Sequence, residues 1–346
     1  MSAALIVCPL CPMHCDDVSM AQLREGRTGC AVADKRMHAI LHASQPHDAA
    51  SDLDTCRKWV AEAENIVVSG LAIDLETSRA IAWFASQTGA RVQMHGPHAL
   101  AQDVFVREGW FQTTLGELTA RETSMLVIGD AASHWPRIEE RLQQVSSVVR
   151  WEDSEDLPER IAALRLGLSD RYPQAMADDL EVGEAVKLFK ASAYTVLLMA
   201  PLRESITRSV ALWSAITGLL REQNKVARAA MLSFDSSMTV RSVLAANNDP
   251  PRWQYPAKDV SLRIEFSPFA DTPLRSARRT VLIGATQGVP TADQRVLPAS
   301  VPGLHHAGIV IRGDGSVTLP LQSCLKQDHP LPTPADQLRR LIGPSL

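Results

Sequence analysis

Short β-branched runs alternate with stretches of three-to-four-residue apolar spacing along most of this chain, and that alternation constrains the fold more than any other feature. A run such as Ile66-Val67-Val68 offers water no polar face and has to be covered on both sides. Strands wrapped by crossover helices in a mostly parallel sheet achieve this. Glu76 to Gln87 follows with apolar residues at Ala80, Ile81, Trp83, Phe84 and Ala85, wide enough for a helix face, and Gly89 stands where a left-handed cap is expected. Arg91 to Met94 is the next strand. Met125 to Ile128, closed by Gly129, and Val148-Val149 supply further strands, with a helix expected from about Pro136 to Val145 between them.

The second half continues the pattern. Asp178 to Ala191 and Glu204 to Glu222 predict helices on either side of a buried strand, Tyr194 to Met199. Arg228 to Phe234, Leu262 to Phe266, Thr280 to Ile283 and Gly308 to Ile311 predict strands, and Ala335 to Ile342 a closing helix. Asn247 to Pro256 is read as a loop, and Val289 to Pro302 and Lys326 to Pro334 as proline-rich connections. The 346 residues suit several lobes. The expected divisions are a cysteine-bearing lobe over 1–50, α/β domains over 51–165 and 166–285, and a closing segment over 286–346.

With 35 Lys plus Arg against 39 Asp plus Glu, the net charge is −4, so no whole-chain field draws a polyanion and nucleic acid is not an expected partner. No run of 18 apolar residues suggests a membrane span. The apolar start Ala3 to Val7 lacks the basic flank and length of a signal peptide, which leads us to expect a cytoplasmic protein. In a reducing compartment six cysteines are free thiols, redox groups or metal ligands rather than a disulfide frame.

Four of those cysteines carry the strongest local signal. Cys8, Cys11, Cys15 and Cys30 form C-x2-C-x3-C-x14-C, a spacing from which thiolates can converge on one centre. Such soft donors suit zinc or a [4Fe-4S] cluster, and composition does not choose between them. The alternative is a set of buried cysteines without a ligand. Cys56 and Cys324 stand apart and are read as core or surface thiols.

The cysteine motif, continued as Cys15-Asp16-Asp17, resembles the start of the B subunit of formylmethanofuran dehydrogenase, a member of the molybdopterin oxidoreductases related to formate dehydrogenase. Met94-His95-Gly96-Pro97 resembles that family's cysteine or selenocysteine followed by His-Gly-Pro. Thr114-Leu115-Gly116-Glu117, Ser133-His134-Trp135-Pro136-Arg137 and Leu297-Pro298-Ala299 follow in family order. The resemblance implies a reduced formate-dehydrogenase-like α/β fold with several lobes. It also implies a metal held by two pterin dithiolenes and by the residue before His-Gly-Pro.

Here that residue is Met94, whose neutral thioether cannot replace a thiolate on a high-valent metal. Met94 and His95 are therefore read as relics, with no catalytic residue and no tungsto- or molybdopterin expected. The family's later active-site arginine is missing from Met231-Leu232-Ser233-Phe234, and Trp135 is an insertion into its Ser-His-Pro.

A homologue with its redox site erased is the B subunit of the formyltransferase/hydrolase complex of methylotrophic bacteria, which this chain also resembles. That resemblance implies a non-catalytic subunit partnered by a hydrolase (A), a C subunit and a formyltransferase (D). Together these carry a formyl group from tetrahydromethanopterin to methylofuran and release formate. Methylofuran there bears a polyglutamate tail, for which Arg275, Arg278 and Arg279 are the densest basic candidates, with Arg339-Arg340 next. The competing readings are a working tungsten or molybdenum pterin subunit and an iron-sulfur electron carrier.

Overall fold

The computed structural model describes all residues except 1–3, 43–48, 71, 95–103, 105–108, 110, 144, 170–178, 208, 248–258, 270–276, 285–289, 327–329 and 344–346. It is an α/β structure whose larger sheets are parallel and flanked by helices. The chain forms two compact units, Met1–Met94 with Ser236–Leu346, and His95–Asp235. These divisions differ from those expected near residues 50, 165 and 285, because the first unit is built from both ends of the chain.

In the first unit, β1 (Leu5–Ile6) pairs antiparallel with β2 (Val18–Ser19) and folds the intervening loop back on itself. Next come α1 (Met20–Glu25), α2 (Ala31–Leu41) and α3 (Ala49–Glu62), then β3 (Ile66–Ser69), a wholly buried strand. The helix α4 (Leu75–Thr88) starts where the Asp74 carboxylate accepts from the Thr77 N–H and stops at Gly89 in the left-handed conformation, as its sequence suggests. β4 (Arg91–Val92) lies parallel to β3.

The second unit contains α5 (Leu115–Ala120), β5 (Ser124–Ile128), α6 (Ala131–His134), α7 (Ile138–Leu142), β6 (Ser147–Trp151), α8 (Leu157–Leu168) and α9 (Leu180–Ala191). β7 (Tyr194–Met199), α10 (Glu204–Thr207), α11 (Val210–Gln223) and β8 (Arg228–Leu232) complete it. Its parallel sheet has the order β6-β5-β7-β8. Leu126, Ile128, Leu197 and Met199 pack with Trp151, Phe189, Trp213 and Ile216 in one core. The helix expected from about Pro136 to Val145 is α7. The one expected over Glu204 to Glu222 is broken in two. Ser209 caps α11 by accepting from the Leu212 N–H, which starts a new helix after α10.

The chain then returns to the first unit with α12 (Met238–Ala246), β9 (Leu262–Ser267), β10 (Arg279–Gly284), β11 (Gln294–Leu297), β12 (Gly308–Ile311), β13 (Thr318–Leu321) and α13 (Pro334–Ile342). β9 inserts beside β3, giving a parallel sheet of order β11-β10-β9-β3-β4, while β12 and β13 form an antiparallel hairpin. β11 lies inside the stretch read as a proline-rich connection. Its Gln-Arg-Val-Leu carries too short an apolar run to signal a strand, and the ladder to β10 supplies what the pattern lacks. No helix among the described residues is long and apolar enough to cross a membrane.

The order of both parallel sheets reverses at a point where glycine lets the chain approach itself closely. Gly70, just after β3, has φ +77°, and a Cβ there would lie 2.1 Å from the Phe266 carbonyl oxygen of β9. Gly70→Ala therefore meets backbone strain and a backbone clash together. It is expected to lower unfolding free energy by about 2 kcal/mol or more in urea titrations, whereas a change within experimental error would mean the contact is not tight.

Candidate functional site

The loop between β1 and β2 carries three of the four motif cysteines. The Cys8 N–H donates to the Cys15 carbonyl at 2.8 Å, the His14 N–H to the Cys11 carbonyl at 3.1 Å, and the His14 ring Nδ1 lies 3.1 Å from the Cys8 carbonyl. His14 takes φ +44° to make this turn, an uncommon conformation for a side-chain-bearing residue. The backbone N–H of Leu10 is directed at the Cys8 sulfur, and those of Met13 and His14 at the Cys11 sulfur. Cys30 joins from the N-cap of α2, its own N–H donating to Thr28 Oγ. The turn before it is held by Asp34, which accepts from the Thr28 N–H, the Thr28 hydroxyl and the Gly29 N–H.

Cys8, Cys15 and Cys30 share one apolar core with Ile6, Leu10, Leu23 and Met37. Burial pushes the Cys8 and Cys11 thiols up, and the neighbouring sulfurs add to the rise at Cys8. Burial also holds His14 down to about 4, so its ring is neutral near pH 7. Among the described residues no three His, Cys, Asp or Glu side chains are gathered as a ligand set, so the four thiols are neighbours rather than a closed coordination sphere. The donor chemistry nonetheless suits a soft cation. Burial raises Cys8 and Cys11, so those two thiols need a positive charge nearby to ionise. Cys324, read from sequence as a lone thiol, belongs to the same apolar core.

Met94 is buried at the end of the β4 segment, and His95 lies outside the described residues. Beside Met94 is a polar network that the sequence analysis missed. Arg263 donates to Ser69 Oγ at 3.1 Å and to Gln93 Oε1 at 2.9 Å, and the Ser69 hydroxyl donates to Glu265. Arg263 and Glu265 are both buried, and they occupy alternate positions of β9. Charged residues at alternate positions of an otherwise apolar strand, Leu-Arg-Ile-Glu-Phe-Ser, were the available signal. In isolation that pattern reads as a solvated face.

Both sheets bring the chain close to itself where the strand order reverses, the place where a doubly wound fold takes a nucleotide. In the first unit the chain at Gly70 lies against the backbone of Phe266. In the second, a Cβ on Gly129 would lie 3.0 Å from Leu202 and 3.2 Å from Ala200. Trp135, the insertion relative to the family motif, is buried and meets Phe234 edge-on with ring centroids 5.0 Å apart. Ser300 and His306 form the one hydroxyl-imidazole pair among the described hydrogen bonds. The Ser300 hydroxyl lies 2.8 Å from His306 Nδ1 and within hydrogen-bond distance of the Pro332 carbonyl, to which the Ser300 N–H also donates.

The basic candidates are not brought together as a group. Arg275 lies outside the described residues, and Arg278 is exposed. Arg279 is paired with Glu62 at 2.7 Å and stacks on Trp59. Arg295 stacks on the same indole and pairs with Asp52, so the two guanidinium groups fasten α3 to β10 and β11. Arg339 pairs with Glu76 and Asp336, and Arg340 donates to Gln337. Glu117 of the Thr-Leu-Gly-Glu motif accepts from Thr113, which accepts from Tyr194, and pairs with Arg228. This network fastens α5 to the base of β7 and β8.

No protein-family profile matches the sequence, and no curated relative does. Among solved structures, the chain is similar to one from the formyltransferase/hydrolase complex (FhcABCD) of Methylorubrum extorquens, whose crystal structure contains methylofuran. The TM-score is 0.61 at 13% identity, over 87% of this chain and 96% of that one. The likeness is one of fold.

Cys56 of α3 has no exposed surface, and burial with the nearby Asp52 carboxylate pushes its thiol up to about 12. Iodoacetamide at pH 8 is therefore expected to leave Cys56 unmodified in the folded chain and to alkylate it after guanidinium unfolding, as read by peptide mass spectrometry. Modification of the native protein at the unfolded rate would contradict this burial.

Proposed function

We propose that the chain is a non-catalytic, B-type subunit of a formyltransferase/hydrolase complex. In this reading it is a cytoplasmic scaffold on which hydrolase (A), C and formyltransferase (D) subunits assemble. Those partners convert formyl-tetrahydromethanopterin to formate by way of methylofuran. The observation that carries the reading is the fold likeness to a chain of such a complex, which extends over 96% of that chain.

Two features of the site support a scaffold over a redox subunit. Met94 puts a buried thioether where an ionisable sulfur would be needed, and a thioether has no proton to lose and no charge to give a high-valent metal. The second is the close approach of the chain to itself just after β3 and β5, where Gly70 meets the Phe266 backbone and Gly129 meets Ala200 and Leu202. Cys8, Cys11, Cys15 and Cys30 are proposed to hold zinc or a [4Fe-4S] cluster that ties β1, β2 and α2 together. When bound, such a centre supplies cross-linking rather than redox turnover, and the four sulfurs with their amide donors do the holding. Of the basic group, Arg278 has the exposure needed to meet the polyglutamate tail of methylofuran, because Arg279 is tied to Glu62.

Affinity purification of the tagged chain from its native host, followed by identification of every accompanying protein, tests this reading. The expected result is a stoichiometric set of three further subunits, among them a formyltransferase and an amidohydrolase. A chain that elutes alone at native expression levels would overturn it.

A further inference from the structure

We infer that the turn from Ser300 to His306 is an acid-released clasp: His305 closes it only as a neutral imidazole, because its Nδ1 accepts a backbone N–H, and a proton on that nitrogen opens it.

The turn lies between β11 and β12. The His305 N–H donates to the Val301 carbonyl at 2.9 Å, and the Val301 N–H donates back to His305 Nδ1 at 2.9 Å. An amide N–H can only donate, so this contact fixes the tautomer of the ring, with the lone pair on Nδ1 and the proton on Nε2. Imidazolium carries a hydrogen on both nitrogens and would set two donors against each other. Protonation therefore removes a closing hydrogen bond and leaves the N–H of Val301, a buried residue, without its acceptor.

His306 is not constrained in this way. Its Nδ1 faces the Ser300 hydroxyl at 2.8 Å, and a hydroxyl can accept from imidazolium while it donates to the Pro332 carbonyl. Asp74 and Glu76 at the start of α4, with Asp336 in the first turn of α13, favour the charged form of His306. Glu76 and Asp336 also pair with Arg339. On His305, by contrast, burial and then the neighbouring His306 hold the ring below the usual imidazole range. The opened turn thus binds a proton more readily than the closed one. The clasp is complete above the ordinary imidazole value of 6.5 and is lost as pH falls through it.

Opening reaches beyond the turn. The Leu304 carbonyl accepts from the Cys324 N–H at 3.0 Å and the Leu325 N–H at 2.7 Å, so the clasp holds the segment that follows β13. Burial raises the Cys324 thiol, and Arg24 of α1 donates to the Cys324 carbonyl. Val301 and Leu304 themselves pack with Leu23 and Phe269 in one apolar core.

The test compares wild type with His305→Asn in the full chain, purified with whatever subunits accompany it. Asparagine puts an amide oxygen where Nδ1 stands, so it accepts from Val301 without titrating. Hydrogen–deuterium exchange of peptides covering 299–307 is followed by mass spectrometry at pH 7.5 and pH 5.5, with rates corrected for the intrinsic pH dependence of exchange. Wild-type protection is expected to fall about tenfold relative to His305→Asn across that interval, the ratio for an open-state imidazole titrating at its ordinary value. Peptides of β9 are expected to keep their protection in both proteins.

The same pH dependence in wild type and His305→Asn would overturn the inference, as would wild-type protection that does not change with pH. If His305→Asn fails to fold, His306→Asn takes its place. A tenfold fall that survives without His306 supports the role of His305, and its disappearance overturns it.

Discussion

Insertion of β9 between β3 and β10 is the pairing on which the first unit depends. Ile66 to Ser69 on one side and Arg279 to Gly284 on the other both hydrogen-bond to Leu262–Ser267, so a strand from late in the chain completes a sheet begun near its start. The intervening segment forms a second sheet of its own in the meantime. Closure of the first sheet also places Arg263 and Glu265 beneath the strand end that carries Met94. There Arg263 donates to Ser69 and Gln93, and Ser69 donates to Glu265. Gly70 permits that closeness, since no side-chain-bearing residue leaves room for the Phe266 carbonyl.

The same packing accounts for the absence of an evident reactive centre among the described residues. The polar side chains near Met94 hydrogen-bond one another, and the Ser300 hydroxyl is shared between His306 and the Pro332 carbonyl. Glu117 is held in its ionised form chiefly by the Thr113 hydroxyl, with Arg228 and Arg121 adding to the effect. These groups fasten elements together. The cysteine loop differs in kind, since burial raises the Cys8 and Cys11 thiols within an apolar core.

Much of this architecture was legible in the sequence because parallel strands buried on both faces announce themselves as continuous apolar runs. Ile66 to Val68, Met125 to Ile128, Tyr194 to Met199 and Thr280 to Ile283 all emerged where they were expected. Among the elements that went unread are some whose identity comes from neighbours. β11 is a strand because β10 lies beside it, α8 has a weakly patterned face that pairs with α11, and β13 exists as the return of a hairpin. The two-unit division was hidden for a similar reason, since nothing local in Leu262 to Ser267 says that its partner is near residue 66.

At the candidate site, Cys8, Cys15 and Cys30 lie in one apolar core, but no three of the motif's side chains among the described residues gather as a ligand set. The supporting residues could not be read in the same way. Asp34 and His14 are unremarkable in sequence and gain a role only through the turns that aim them. Arg279 shows the converse case, a basic residue that looked free for a ligand and is joined to Glu62 and Trp59.

The central claim is that this chain supports a complex without passing electrons through a heavy metal, because the sulfur at Met94 cannot ionise. Elemental analysis of the native assembly by inductively coupled plasma mass spectrometry, with extraction for pterin, addresses it most directly. The account predicts tungsten and molybdenum well below one atom per chain and no recoverable pterin. One atom of either metal per chain, accompanied by pterin, would contradict it.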